Sequence, residues 1–549
     1  MSVNSQSKTV SSARSARGLV KRVQQAWNES IFYEAQLKGP APDRLLYSPD
    51  DPYSVDKSFA ASLIRGEILL ADERSDNSED LASVWADIAE TSHLFNYMQS
   101  FEWLRHLSAA GTNGGNAAKI LTKSWLENFD RPSARAWEPY LVSERLIHLC
   151  AHYDVVHDSK DALWRSRVFS SMARQTRHLA KTAHRANSDF DRLCAALGLS
   201  IAGYCLPGCD VSAQSGMEML RRELRLQIRA DGGHFSRNPS RQLKTAVRLK
   251  QLLAVIEHRN IALPAYLHNT VMRVCAMAKF FRCGDGRLAV FNGGYEDDSG
   301  ALIGLNSNGV NKEYEPLEFA RHTGYHRLTS GRSVVFIDTC ANVGPRSFDS
   351  AGSFQFTSGR SRIFVNCGNG SHQASEWGSA LCDAAAHSKV SFDVDRRKAL
   401  VFRKVNHWRS DDVNGQLVEF HGSSEDSDPS KISFERQIYL SSGGGDLRGN
   451  DTLCCDCDTD ALAAAWRFHI HPSVRVSLSR DQRSAILLLK NGEGWRFKSN
   501  AKQLEIEKSV YCGEGANPIA TEQIVIRASD AKGSPSEKLN VKWALQLQS

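Results

Sequence analysis

The sequence predicts a multidomain α+β protein, with a helical first part and an antiparallel β-sandwich after it. Two observations carry that expectation. Apolar residues recur at steps of three and four through the first half, the spacing of a buried helical face. After Phe281-Arg282-Cys283-Gly284-Asp285-Gly286 the period falls to two, with Gly, Asn and Asp turns at short intervals, as in antiparallel strands. The expected organisation is a basic arm over 1–30, a helical domain over 31–300 and a β domain over 301–549.

The basic, Ser-rich arm carries Lys8, Arg14, Arg17, Lys21 and Arg22, and Asp43 to Asp56 reads as an extended lead-in. Phe95, Tyr97, Phe101 and Trp103 crowd one segment; such a cluster either stacks on sugars or belongs to the core. Helical spacing then follows in Val142, Leu146, Leu149, Cys150 and Tyr153, and again in Trp164, Val168, Met172 and Leu179. Further helices run from about Phe190 to Tyr204, through Met217, Leu220, Leu224 and Ile228, and through Ala246, Leu249, Leu253 and Ile256. Short loops between them suggest hairpins stacked in an array or ring. Among the strands, Val334 to Ile337 is a buried run, and Phe354 and Phe356 turn at Ser358-Gly359 into Ile363 and Val365. Val390, Phe392 and Val394 alternate, as do Val474, Val476 and Leu478, and then Ala485, Leu487 and Leu489. Asn491 to Gly494 turns into Trp495 and Phe497.

The chain has 549 residues, 41% hydrophobic and 24% charged, the composition of a folded soluble protein. Its net charge of +6, from 68 basic and 62 acidic residues, fits an acidic partner without demanding one. No nucleic-acid motif accompanies that charge, and no apolar run is long enough for a membrane span. The arm lacks the apolar core of a secretory signal, so a cytoplasmic location is expected, with periplasm or cell envelope as the alternative. The thirteen cysteines have no framework spacing and read as reduced thiols. Cys454-Cys455-Asp456-Cys457 invites a metal, but no second Cys or His pair stands nearby.

The most informative stretch is Asp231-Gly232-Gly233-His234-Phe235-Ser236-Arg237-Asn238-Pro239-Ser240, between two amphipathic helices. The glycines permit a sharp turn, and Pro239 suits the first position of a helix. His234, Arg237 and Asn238 admit two readings. They are a base or acid, a fixed cation and an amide donor around an anion, or a polar loop in which Asn238 caps the next helix.

Several ordered markers resemble the heparinase II/III-like family, closest to its proteobacterial branch. Besides the central loop they are Phe281 to Asn292, Gly324 to Leu328, Arg362 to Gly368, Ala385 to Ser388, Asp446 to Gly449, Arg467 to Ser473 and Asn491 to Phe497. The resemblance implies an α/α toroid, an incomplete helical ring, followed by an antiparallel β-sandwich. It also implies a polysaccharide lyase that cleaves a uronic-acid-containing glycan by β-elimination: a base takes the C5 proton, the carboxylate is neutralised, and an acid protonates the leaving oxygen. The implied partner is an acidic polysaccharide or oligosaccharide, held in a cleft between toroid and sandwich. The oligomeric state is left open.

Against that pattern, His234 is the first candidate for base or acid, with Arg237 and Asn238 as carboxylate clamps. Tyr325 is the candidate to replace a family tyrosine whose place Arg241 occupies. Arg241, His326, His469 and His471 are candidate substrate contacts; the last two alternate along a strand and so share a face. No organic cofactor is implied. The family zinc site would fall on Ser350, Asn366 and His387, of which only His387 is a good ligand. Asp191 stands about where the family has a catalytic histidine. These departures leave two readings: a lyase with reassigned residues, or a non-catalytic glycan-binding or envelope-associated protein on the same scaffold. A hydrolase using paired carboxylates such as Asp189 and Asp191 is a third.

Overall fold

The computed structural model describes residues 26–70, 73–76, 80–158, 160–305, 317–341, 348–369, 375–392, 404–423, 432–454, 464–515, 517–531 and 538–548. The basic arm up to residue 25, Val394, Cys455 and Cys457 lie outside them, and the metal reading of the cysteine run goes with them. The described residues form two compact units, 1–227 with 248–268, and 228–247 with 269–549. The division therefore differs from a cut at residue 300. Residues 281–293 belong with the strands because their polar groups are satisfied there: Val290 N–H donates to Gln355, Arg362 to the Leu288 carbonyl, and Asn369 to the Gly293 carbonyl.

The first unit is helical. Asp161 caps Ala162–Thr182, Pro139 opens Pro139–Ala151 with Glu138 as cap, and Ser188 and Asp191 form a capping box on Asp189–Cys205. That box accounts for Asp191, and Asp189 pairs with Arg192, so neither carboxylate stands free for hydrolysis. Small residues bring neighbouring helices close: a Cβ on Gly198 would overlap Ser143, and one on Gly203 would overlap Ala213. Phe95, Phe101 and Trp103 are buried, and Tyr97 packs edge-on against Phe59, so this aromatic segment is core. Leu141 through Cys150 are buried on every face of their helix, Glu144, Arg145 and His148 included. Charges so placed need partners within the unit.

The second unit contains, besides its helices, β3 (Phe319–Ala320), β4 (Tyr325–Ser330), β5 (Ser333–Asp338), β6 (Phe354–Ser358), β7 (Ser361–Val365) and β8 (Val390–Phe392); β1 (Glu67–Leu70) and β2 (Glu73–Asp76) are a hairpin of the first unit. It continues with β9 (Lys404–Asp411), β10 (Gly415–Ser423), β11 (Ser433–Ser441), β12 (Asp446–Cys454), β13 (Ala464–Ile470) and β14 (Arg475–Leu478). The last are β15 (Ser484–Leu488), β16 (Gly494–Ser499), β17 (Glu505–Tyr511), β18 (Ile519–Arg527) and β19 (Leu539–Leu547). One antiparallel sheet has eight strands in the order β14-β15-β16-β19-β12-β11-β10-β9. The other runs β17-β18-β13-β7-β6-β5-β4-β3, with β8 on β13. Inward residues of both sheets, among them Phe354, Phe364, Trp466, Phe468, Trp495, Phe497 and Trp543, form one core. Within it Arg436 makes a two-pronged pair with Asp451 at 2.8 and 2.6 Å and donates to the carbonyls of Gly352 and Ser388. This buried charge is fully compensated. The architecture is the helical part followed by an antiparallel sandwich that the sequence predicts.

Candidate functional site

The central loop turns because Gly232 adopts φ 87°, where any Cβ would also meet the Arg273 backbone. Gly233 is needed for a different reason: a Cβ there would overlap the Thr323 side chain. Asp231 fastens the turn to the start of the β structure. Its carboxylate accepts from the N–H groups of His322 and Thr323 at 2.8 and 2.7 Å and from the Thr323 hydroxyl at 2.7 Å. Gln242 holds the other side, accepting from His234 N–H at 2.7 Å and donating to the carbonyls of Gly232 and Val274.

The four candidate catalytic residues are all buried here, Arg237, Asn238 and Tyr325 in one network and His234 against Ser236. His234, Arg237, Asn238 and Tyr325 are 1%, 7%, 8% and 0% exposed. Arg237, at φ 59°, sends its guanidinium to Asp338 and donates from Nε to the Thr323 carbonyl at 3.0 Å. Its carbonyl accepts from the Tyr325 hydroxyl at 2.9 Å, and its charge lies 5.0 Å from the Tyr325 ring centre. Asn238 accepts from Arg241 N–H at 3.0 Å, the capping bond, and donates to the Asn292 carbonyl at 3.0 Å. Asn292 in turn donates to Tyr325 at 2.5 Å and to Asp338 at 3.3 Å, and Ser350 donates to both Asn292 and Asp338. The result is a closed polar knot joining the loop, Asn292, β4 and β5.

The knot is poorly suited to proton transfer. His234 lies 2.7 Å from the Ser236 hydroxyl; burial, with Arg241 and Arg229 adding to it, pushes its imidazole down to about 3. Burial, with Asp338 next, drives the Tyr325 phenol well above its usual 10.0. An efficient general base or acid titrates near the working pH, and neither does. A polymer has no access to a phenol with no exposed surface. Every group named is already paired inside the protein, an arrangement that fastens the loop to β4 and β5.

The other candidates separate. Arg241 is exposed on the helix Pro239–His258. His326 is buried, stacked on Phe319 at 4.1 Å, with Nε2 3.1 Å from His407, and burial brings it down to about 3. His469 and His471 go to different partners. His469 lies between the Ser509 hydroxyl at 2.8 Å and the Ala385 carbonyl at 2.9 Å, while His471 meets Ser473 and Glu296. Glu296 anchors a second network with Tyr511 at 2.6 Å, Arg287 at 3.2 Å and Arg362 at 3.3 Å, and Arg362 also grips Asp285 with two bonds. Burial alone would raise Glu296; bonds from His471 and Tyr511 and the charge of Arg362 outweigh it and hold the carboxyl at about 2.

The family zinc site does not fit. His387 is buried with neither ring nitrogen hydrogen-bonded among the described residues, as a ligand would be. Ser350, however, is spent on Asn292 and Asp338, and Asn366 on the Val290 carbonyl and Ser388 N–H. One imidazole does not hold zinc.

The helical unit contains a cluster missed from sequence. Asp51 Oδ2 accepts from Arg105 Nε at 2.7 Å and lies 3.0 Å from His152 Nε2 and 3.7 Å from His148 Nδ1. Arg248 bridges Glu144 at 2.8 Å and Gln251 at 2.9 Å. Burial, then Arg248 and Arg105, push His148 down to about 3. Asp51, His148 and His152 have metal-like spacing, but Arg105 occupies the shared carboxylate oxygen, so the cluster is compensated without an ion. Its sequence signal was His148 and His152 at i and i+4 on one helical face.

Comparison with known proteins follows the same lines. Residues 313–544 match the family described as heparinase II/III-like, C-terminal. The chain is 27% identical over 554 residues to FtsZ-localized protein C of Caulobacter vibrioides, covering 95% of this chain and 94% of that one. The crystal structure of heparinase III superposes with a TM-score of 0.68 at 11% identity, covering 90% of this chain and 85% of that one. A mutant of the heparan sulfate lyase HepC from Pedobacter heparinus gives 0.61 at 13% identity, with 94% and 87% covered. Among the described residues no helix is long and apolar enough to cross a membrane.

Proposed function

The chain is a heparinase II/III-like protein, and from that premise we propose that it binds a uronic-acid-containing glycan without cleaving it. The fold is the scaffold of polysaccharide lyases, and the solved relatives named above include a heparan sulfate lyase, whose substrate is an acidic glycan. The observation that carries the reading is the burial of His234 beside Ser236 and of Tyr325 in the knot, the imidazole lowered to about 3 and the phenol raised well above 10.0. A lyase needs its base and acid against the substrate. The relationship to FtsZ-localized protein C supports a place of action at the bacterial division site. Calorimetry of the pure protein with alginate, polyglucuronate and glycosaminoglycan oligosaccharides is the test. Binding without ultraviolet absorbance from a new C=C bond, and unchanged per folded molecule in His234→Ala, is expected. Unsaturated product abolished by His234→Ala would instead restore the lyase reading.

A further inference from the structure

The outer face of the eight-stranded sheet contains a groove of about 550 Å³. Its construction follows from strand register. Ala544 on β19 pairs with Lys498 on β16 to one side and Arg448 on β12 to the other. Neighbouring strands lie about 5 Å apart, so the two cations flank a single methyl group, which leaves a trough between them. Lys542 stands two residues along the same strand and therefore on the same face. Tyr439, the partner of Arg448 on β11, extends the wall.

A row of amides runs beside these cations. Asn540 donates to Asn450 at 2.8 Å, Asn450 to Gln437 at 3.0 Å, and Gln437 to Glu419 at 2.8 Å. Each bond fixes which end of an amide is donor and which is acceptor; Asn540 spends its other N–H on the Asp451 carbonyl and the Thr452 hydroxyl, while Asn450 and Gln437 each present a further N–H toward a ligand hydroxyl. The groove lining contains Arg448, Lys498 and Lys542 and no carboxylate. Asp446 holds Arg448 at 2.5 Å; neither lysine has a carboxylate within ion-pair distance among the described residues. A solvated sheet face ordinarily mixes both signs of charge. Here a recess gathers two lysines that have no carboxylate partner among the described residues, beside an ordered row of amides and with an aromatic ring at its wall.

We propose that this groove seats an acidic oligosaccharide, its carboxylates on Lys498 and Lys542 and its hydroxyls on Asn450 and Gln437, with Tyr439 against a sugar face. The proposal rests on the glycan-binding reading above and adds where the glycan lies. A slender, hydroxyl-rich polyanion enters such a trough, whereas a flat bilayer meets only its rim.

The test uses the full chain and a polyglucuronate oligosaccharide in calorimetry, with melting curves to confirm folding. Lys498→Gln with Lys542→Gln should weaken binding by about tenfold or more and flatten its salt dependence. Ala544→Phe, which fills the trough without changing charge, should weaken it as well. Arg475→Gln, on the edge strand outside the groove, should leave it unchanged. Wild-type binding that survives both the lysine and the Ala544 changes would overturn the groove while leaving the glycan reading intact. No binding of any acidic oligosaccharide by the wild type would remove both. Lysine-dependent binding of anionic vesicles or DNA without the oligosaccharide would overturn the proposal in favour of another polyanion.

Discussion

Replacing Arg237 by Met tests the knot where its energetics are clearest. The side chains of Arg237 and Asp338 are 8% and 0% exposed. Removing the guanidinium leaves the Asp338 carboxylate buried, with the Ser350 hydroxyl, the Asn292 amide and the Cys340 N–H as its donors among the described residues. Breaking a buried pair from one side costs about 3–5 kcal/mol, and the orphaned Thr323 carbonyl adds about 1 kcal/mol. For a domain of this size that is a fall in melting temperature on the order of 10 °C, measurable by scanning calorimetry of the full chain. Adding Asp338→Asn to Arg237→Met should recover part of the loss, because the uncompensated charge disappears. Glycan binding per folded molecule should stay at the wild-type level. A variant as stable as wild type that has lost binding would place Arg237 on the ligand and refute the structural reading.

Other consequences follow from the same contacts. Tyr325→Phe removes a hydroxyl that donates to the Arg237 carbonyl and accepts from Asn292, and should cost about 1–3 kcal/mol in urea unfolding with no change in binding. His234 and His469 are each lowered from 6.5 to about 3 by burial first and neighbouring arginines second. Below about 6.5 the unfolded chain therefore takes up protons that the folded chain refuses. Stability should be whole above that pH and decline toward 3, and His469→Gln should flatten the decline in unfolding midpoints taken across this window. Glu296 is lowered from 4.5 to about 2, so its contribution is present above about 4.5 and lost as pH falls through 2. Glu296→Gln should thus destabilise at pH 7 and be nearly neutral in the most acid samples.

Periodicity made the elements legible wherever burial imposes it. The apolar steps from Val142 to Cys150 and the alternation from Phe354 to Val365 fall on a helix and strands as they indicate, although those elements are buried on both faces, and Tyr153 opens a separate short helix. The unit boundary was not legible, because a helical face gives no sign of which neighbour it packs against; residues 228–247 look helical in context yet belong with the β unit. In the central loop the Gly and Pro punctuation and the Asn238 cap were readable, since each acts through adjacent residues. The meaning of Arg237 was not. Its partner, Asp338, is 101 positions away, and a guanidinium waiting for a substrate reads the same as one already paired. His148 and His152 stood in plain helical spacing, but the carboxylate that gives them meaning lies in the extended lead-in. The groove on the sheet was hidden because β10, β11, β12, β16 and β19, widely separated along the chain, each supply only a few of its residues.

The most direct measurement is of chemistry itself. Protein at equimolar ratio with each uronate oligosaccharide, followed by absorbance and mass spectrometry of the recovered sugar, leaves nowhere for a slow lyase to hide. The account predicts sugar of unchanged mass with no unsaturated end. A shortened product bearing a 4,5-double bond, lost on Tyr325→Phe in protein that remains folded, would contradict it.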